Sequence, residues 1–180
     1  MTLPRTSDAG IAWPLALAAA AVLGTLAIAC MMPFVALAVA AALSMSRARA
    51  AVTISGIWAT NQLIGFGLLS YPLTGYALSW GGALLGASLG AMLLAARLSQ
   101  KPRSHGYALP LVFLAAFAAF EVALLGFALV VGGTETFTPT IVLQLLTNDV
   151  LWFAGLFALH VVLTRAAPRV FGPGLALRAA

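Results

Sequence analysis

Amide and carboxylate side chains stand inside apolar runs of this 180-residue sequence: Asn61 and Gln62 in one, Glu121 in a second, and Gln144, Asn148 and Asp149 in a third. An acidic group at the centre of a membrane helix costs about 2.5–3.5 kcal/mol on insertion scales, and a buried amide without a partner costs about 1–3 kcal/mol. Such groups are expected to point away from lipid, where an amide can donate to a carboxylate and a bound solute or a proton can neutralise it. No Lys or Arg lies at that depth in these runs to act as counter-charge. Trp58 precedes Asn61 and Gln62, and Trp152 follows Asn148 and Asp149, at spacings of three and four residues, so each indole shares a helical face with its polar pair. The set Trp58, Asn61, Gln62, Glu121, Asn148, Asp149 and Trp152 is therefore expected to bind a flat or cationic organic solute by stacking, cation–π attraction and hydrogen bonding. The competing structural reading makes the amides hydrogen-bonded glue between helices.

Other chemistries find little support. His160 lies eleven residues beyond Asp149, roughly 16 Å along a helix at 1.5 Å per residue, and so belongs near a basic end rather than in the central layer. His105 sits in a loop, and neither histidine has metal-ligand spacing. The single Cys30 gives no disulfide framework and no zinc pattern. There is no HExxH motif, no P-loop glycine pattern and no Ser/His/Asp ordering that one span would bring together. Neither catalytic activity nor a cofactor is expected.

The elements that must position these groups follow from composition. Apolar residues make up 63% of the chain and charged residues 7%, far below the roughly one quarter charged that a soluble domain carries. The chain is expected to be an all-α integral membrane protein, a bundle of six transmembrane helices forming one domain over residues 1–180. Pro33 suits the first turn of a second helix and divides the uncharged stretch 9–46. The expected spans are 11–31, 32–46, 50–70, 76–96, 107–131 and 138–163. The centres of the third, fifth and sixth fall near Thr60, Ala119 and Val150, which puts the polar groups in one plane.

The net charge of +5 is spread in small groups between apolar runs, a pattern that signals topology rather than a nucleic-acid partner. Arg5, then Arg47 and Arg49, then Arg97, Lys101 and Arg103, then Arg165, Arg169 and Arg178 fall on one side if 9–46 crosses twice; the opposite loops carry only Glu135. This predicts a bacterial-type inner membrane with both termini cytoplasmic. A cleaved signal peptide over 11–30 fits less well, because the residues after Cys30 remain apolar.

Small residues recur every four positions at Ala16, Ala20 and Gly24 and at Gly82, Gly86 and Gly90, giving smooth faces for helix packing or for docking onto another membrane subunit. The expected helix count, the AxxxA spacing of Ala16 and Ala20 and the polar-aromatic layer together resemble the substrate-binding S components of energy-coupling-factor vitamin transporters. The resemblance implies capture of a small vitamin-like solute, with a transmembrane coupling subunit and ATPases supplied by other chains. A small proton-coupled secondary carrier and a non-transporting assembly or structural subunit are the alternatives.

Overall fold

The run Phe34-Val-Ala-Leu-Ala-Val-Ala-Ala-Ala-Leu-Ser44 is apolar around its whole circumference, and a helix of that kind must be surrounded, by lipid or by protein. In the computed structural model, which describes residues 11–27, 32–99 and 108–171, protein surrounds it. Helix α2 (Phe34–Ser44) has every residue from Phe34 to Ala41 buried and packs against α3 (Arg47–Leu63), α4 (Gly75–Leu98), α5 (Ala108–Val131) and α6 (Pro139–Ala166). Helix α1 (Ala12–Ala27) lies against α3, and the short α7 (Pro168–Phe171) follows α6. Arg5, Cys30, Lys101, Arg103, His105 and Arg178 lie outside the described residues.

The chain is all-α, but it is not a bundle of six transmembrane helices. Among the described residues three helices are long and apolar enough to cross a membrane: Gly75–Leu98, Leu109–Val131 and Pro139–Ala166. The expected span 32–46 is an 11-residue helix, about 16 Å long at 1.5 Å per residue and so about half of a 30 Å hydrocarbon core. The expected span 50–70 fails on polarity and regularity. Its α-helix begins at Arg47, carries Asn61 and Gln62, and gives way to a π-helical turn, Ile64–Leu68. The apolar part of α1, Ala12–Leu23, is also short of a full span. Hydropathy registers apolar surroundings without saying whether they are acyl chains or other helices, hence the overcount.

The long helices show what faces lipid. On α6 the buried residues are Asp149, Leu156, His160 and Thr164, spaced along one face, while Leu143, Val150, Leu151, Leu159 and Val162 are exposed. Polar residues inward and aliphatic residues outward is the arrangement expected of a helix solvated by hydrocarbon. Multiple apolar helices of this kind support a multi-pass membrane protein. Both α4 and α6 start with a threonine cap: Thr74 Oγ1 accepts from the Ala77 amide at 3.1 Å, and Thr138 Oγ1 from the Ile141 amide at 3.3 Å, with Pro139 in the first turn of α6.

One end of the bundle gathers the described basic residues, with Arg47 and Arg49 opening α3, Arg97 and Arg165 in the last turns of α4 and α6, and Arg169 in α7. There the Trp13 indole donates to Ser44 Oγ at 2.8 Å and stands edge-on to the buried His160 ring, 4.5 Å between centroids. The opposite end is formed by residues 69–74 and 132–138.

Glycines Gly132 and Gly133 of the second connection have φ of +100° and +104°. A Cβ at Gly133 would meet Trp80 Cζ2 at 2.9 Å and the Tyr76 hydroxyl at 3.0 Å. We expect Gly133→Ala to cost about 1–3 kcal/mol through backbone strain and overpacking, whereas Gly86→Ala, whose Cβ would meet nothing within 4 Å, does not lower stability. Thermal unfolding of the two variants in detergent measures the difference.

Candidate functional site

The site begins with an accounting problem at the start of α2. A helix leaves its first amides without intrahelical partners, and a buried N–H must find one elsewhere. Leu37 makes the first backbone bond, to the Pro33 carbonyl at 3.1 Å, and the Phe34 amide turns back to the Met32 carbonyl at 2.9 Å. Val35 and Ala36 remain. Pro33 occupies the cap position and has no side-chain oxygen to offer. The acceptor comes from α6: Asp149 Oδ1 takes the Ala36 amide at 2.8 Å, 113 residues away in sequence, and the Val35 amide also faces this carboxylate. The Ala36 amide is one that a local Ser, Thr or Asp cap would satisfy. The Asp149 carboxyl also lies at the positive end of the α2 dipole.

Next to this contact is a cavity of about 630 Å³, within the usual size range of small-molecule sites. Asp149 and Phe34 line one part of it, and Tyr71, Thr74, Thr136 and Phe137 line the part by the connecting segments. It therefore runs from the end away from the basic residues to the start of α2. Glu121 of α5 and the Asn61–Gln62 pair of α3 also line it, so four of the expected residues, from three helices, meet around one space. The amides form a short chain: Gln62 Nε2 donates to Asn61 Oδ1, and Asn61 Nδ2 to the Met32 sulfur, each at 3.3 Å. Glu121 Oε2 is buried and has no hydrogen-bond partner among the described residues. None of the described residues lining the cavity is Lys, Arg or His.

Other expected residues lie elsewhere. The Trp58 indole donates to the Gly81 carbonyl at 2.7 Å, tying α3 to α4, and does not line the cavity. Trp152 is half-buried against the hydrophobic core, Asn148 is half-buried outside the cavity wall, and Gln144 is exposed. The aromatic wall comes instead from residues that sequence reasoning missed, above all Tyr71, Tyr76, Trp80, Phe120 and Phe137. Tyr76 and Trp80 are one helical turn apart, and Trp80 packs edge-to-face on Phe127 with centroids 5.1 Å apart. Their i, i+4 spacing at the start of α4 was the available signal. The Trp80 indole N–H is buried and has no partner among the described residues.

The small-residue faces divide likewise. Ala16 and Ala20 are half-buried against the core, and Gly24 lies further along α1. Gly82, Gly86 and Gly90 are exposed, and a Cβ at any of them would meet nothing within 4 Å. The glycine in close contact is Gly81, where a Cβ would lie 2.6 Å from Gln62 Oε1. The letters Gly86-Ala87-Ser88-Leu89-Gly90 spell G-x-S-x-G, but they lie within continuous helix, and the Ser88 hydroxyl donates to the Leu84 carbonyl at 2.6 Å. A nucleophile elbow requires a strand-to-helix turn.

Fold and site together define an all-α, multi-pass membrane protein with an internal cavity at the capped start of a short buried helix. No family model, curated protein or solved structure matches the chain.

If Asp149 caps α2, Asp149→Ala lowers stability by about 0.5–2 kcal/mol, and Asp149→Asn, which keeps an acceptor oxygen, loses less. Amide hydrogen exchange at Ala36 should accelerate in the alanine variant; an unchanged rate would contradict the assignment.

Proposed function

We propose that this chain is the membrane-embedded solute-binding subunit of an uptake system, taking a small organic solute of vitamin-like or cationic character into the cavity between α3, α4, α5 and α6. The observation that carries this reading is the meeting of Glu121, Asn61 and Gln62 around one space of about 630 Å³ with an aromatic wall. A purely structural role for these groups would leave no reason for an unpartnered carboxylate oxygen beside a cavity. The end of the bundle bearing Arg47, Arg97 and Arg165 is taken as cytoplasmic, in keeping with the positive-inside rule. Both termini then lie on that side of a bacterial-type inner membrane, and the cavity mouth faces outward, where an uptake protein meets its solute.

The likeness to S components of energy-coupling-factor transporters no longer draws support from helix count. It retains the small-residue spacing and the polar-aromatic site. The open Gly82, Gly86 and Gly90 face suits contact with a coupling subunit better than the half-buried Ala16 and Ala20. The same open face favours, as a second reading, an assembly or structural subunit without transport.

The two readings part on Glu121. The detergent-purified chain is screened by thermal shift against vitamins, their precursors and organic amines; a true solute at a hundred times its Kd adds about 2.7 kcal/mol of stability. Glu121→Gln should insert at normal levels and lose binding or uptake. Normal uptake in that variant, with no solute shifting the melting temperature of the parent chain, would leave the structural role standing.

A further inference from the structure

Two carboxylates line the cavity, and they are not equivalent. Asp149 already has a partner: its Oδ1 holds the Ala36 amide, and it faces the positive end of a helix whose first turns are wholly buried. Glu121 differs in that its buried Oε2 finds no donor among the described residues. The remaining polar lining cannot supply a cation, because the side chains there are amides, hydroxyls and an indole. A bound solute would therefore meet, at Glu121, a carboxyl whose buried oxygen has no donor, in a cavity also lined by the aromatic rings of Tyr76, Trp80 and Phe120, which favour a cation over their faces.

Resting on the solute-binding reading above, we propose that the cavity selects organic monocations with an apolar or aromatic body, and that Glu121 alone reads the charge. A neutral solute would offer the Glu121 carboxyl no counter-charge, so that the group would have to hold a proton instead and the ion-pair attraction open to a monocation would be lost. A dication would have to draw its second partner from Asp149, whose Oδ1 is already committed to the Ala36 amide at the start of α2, and would be desolvated at a loss. The same reasoning disfavours bare divalent metal ions.

The test uses the full-length chain in detergent and three probes of nearly the same shape: 4-methylbenzylamine as monocation, 4-methylbenzyl alcohol as neutral isostere, and 1,4-bis(aminomethyl)benzene as dication. Binding is followed by ligand-observed NMR and thermal shift. The monocation should bind at least about tenfold tighter than the alcohol and tighter than the dication. Glu121→Gln should reduce the preference for monocation over alcohol to within about twofold, while Asp149→Asn should melt lower yet keep that preference. The ratio between probes on one variant is independent of how much of it is folded. Equal binding of alcohol and monocation to the parent chain would overturn this inference and leave the solute-binding reading intact. So would a preference that survives in Glu121→Gln or vanishes in Asp149→Asn. No binding of any probe at millimolar concentration would overturn both.

Discussion

A helix buried from its first turn must have its leading amides satisfied by another part of the chain, and in this protein a single carboxylate does so. Asp149 sits on α6, more than a hundred residues from the amides it serves, and its bond to Ala36 sets where α2 begins relative to α6. Without that acceptor, α2 would present unpaired N–H groups to an apolar interior, which is costly in a bilayer protein. With it, an apolar 11-residue segment can stand at the centre of the bundle with four longer helices around it. Because α2 begins beside the cavity, its first turn forms part of the cavity wall through Phe34.

The same contact makes the two cavity carboxyls unlike. Two acidic residues near one depth invite the idea that both handle a solute or a proton. The hydrogen bonds distinguish them, since one carboxyl holds a helix and the other has a buried oxygen without a donor among the described residues. The amides of Asn61 and Gln62 lie in the last turn of α3, immediately before a π-helical turn. Ile64 and Gly65 of that turn are buried, and both also line the cavity. Such turns recur where a helix has been bent to serve a site.

Much of the site was legible in the sequence, because an ionisable or amide group in an apolar run is rare and expensive. Asn61, Gln62, Glu121 and Asp149 were found that way and do share one cavity. What could not be read was phase and environment. Helical spacing put Trp58 on the face of Asn61, but the indole donates to the Gly81 carbonyl and does not line the cavity. Gly81 makes the close contact while its neighbour Gly82 faces outward, a difference of 100° that no count of small residues resolves. Six apolar runs suggested six crossings because hydropathy has no way to tell a helix bathed in acyl chains from one bathed in leucine and alanine side chains. The cap on α2 was invisible because its two halves are separated by most of the sequence.

That separation bears on how the protein is made. As the chain leaves the ribosome, α2 emerges long before α6, and the acceptor for its leading amides does not yet exist. Helices α3, α4 and α5 can gather around this segment as they emerge, but its leading amides gain their carboxylate only when α6 joins them. The start of α2 is thus fixed only once α6 is in place, so order at that end of the segment waits on a helix made more than a hundred residues later.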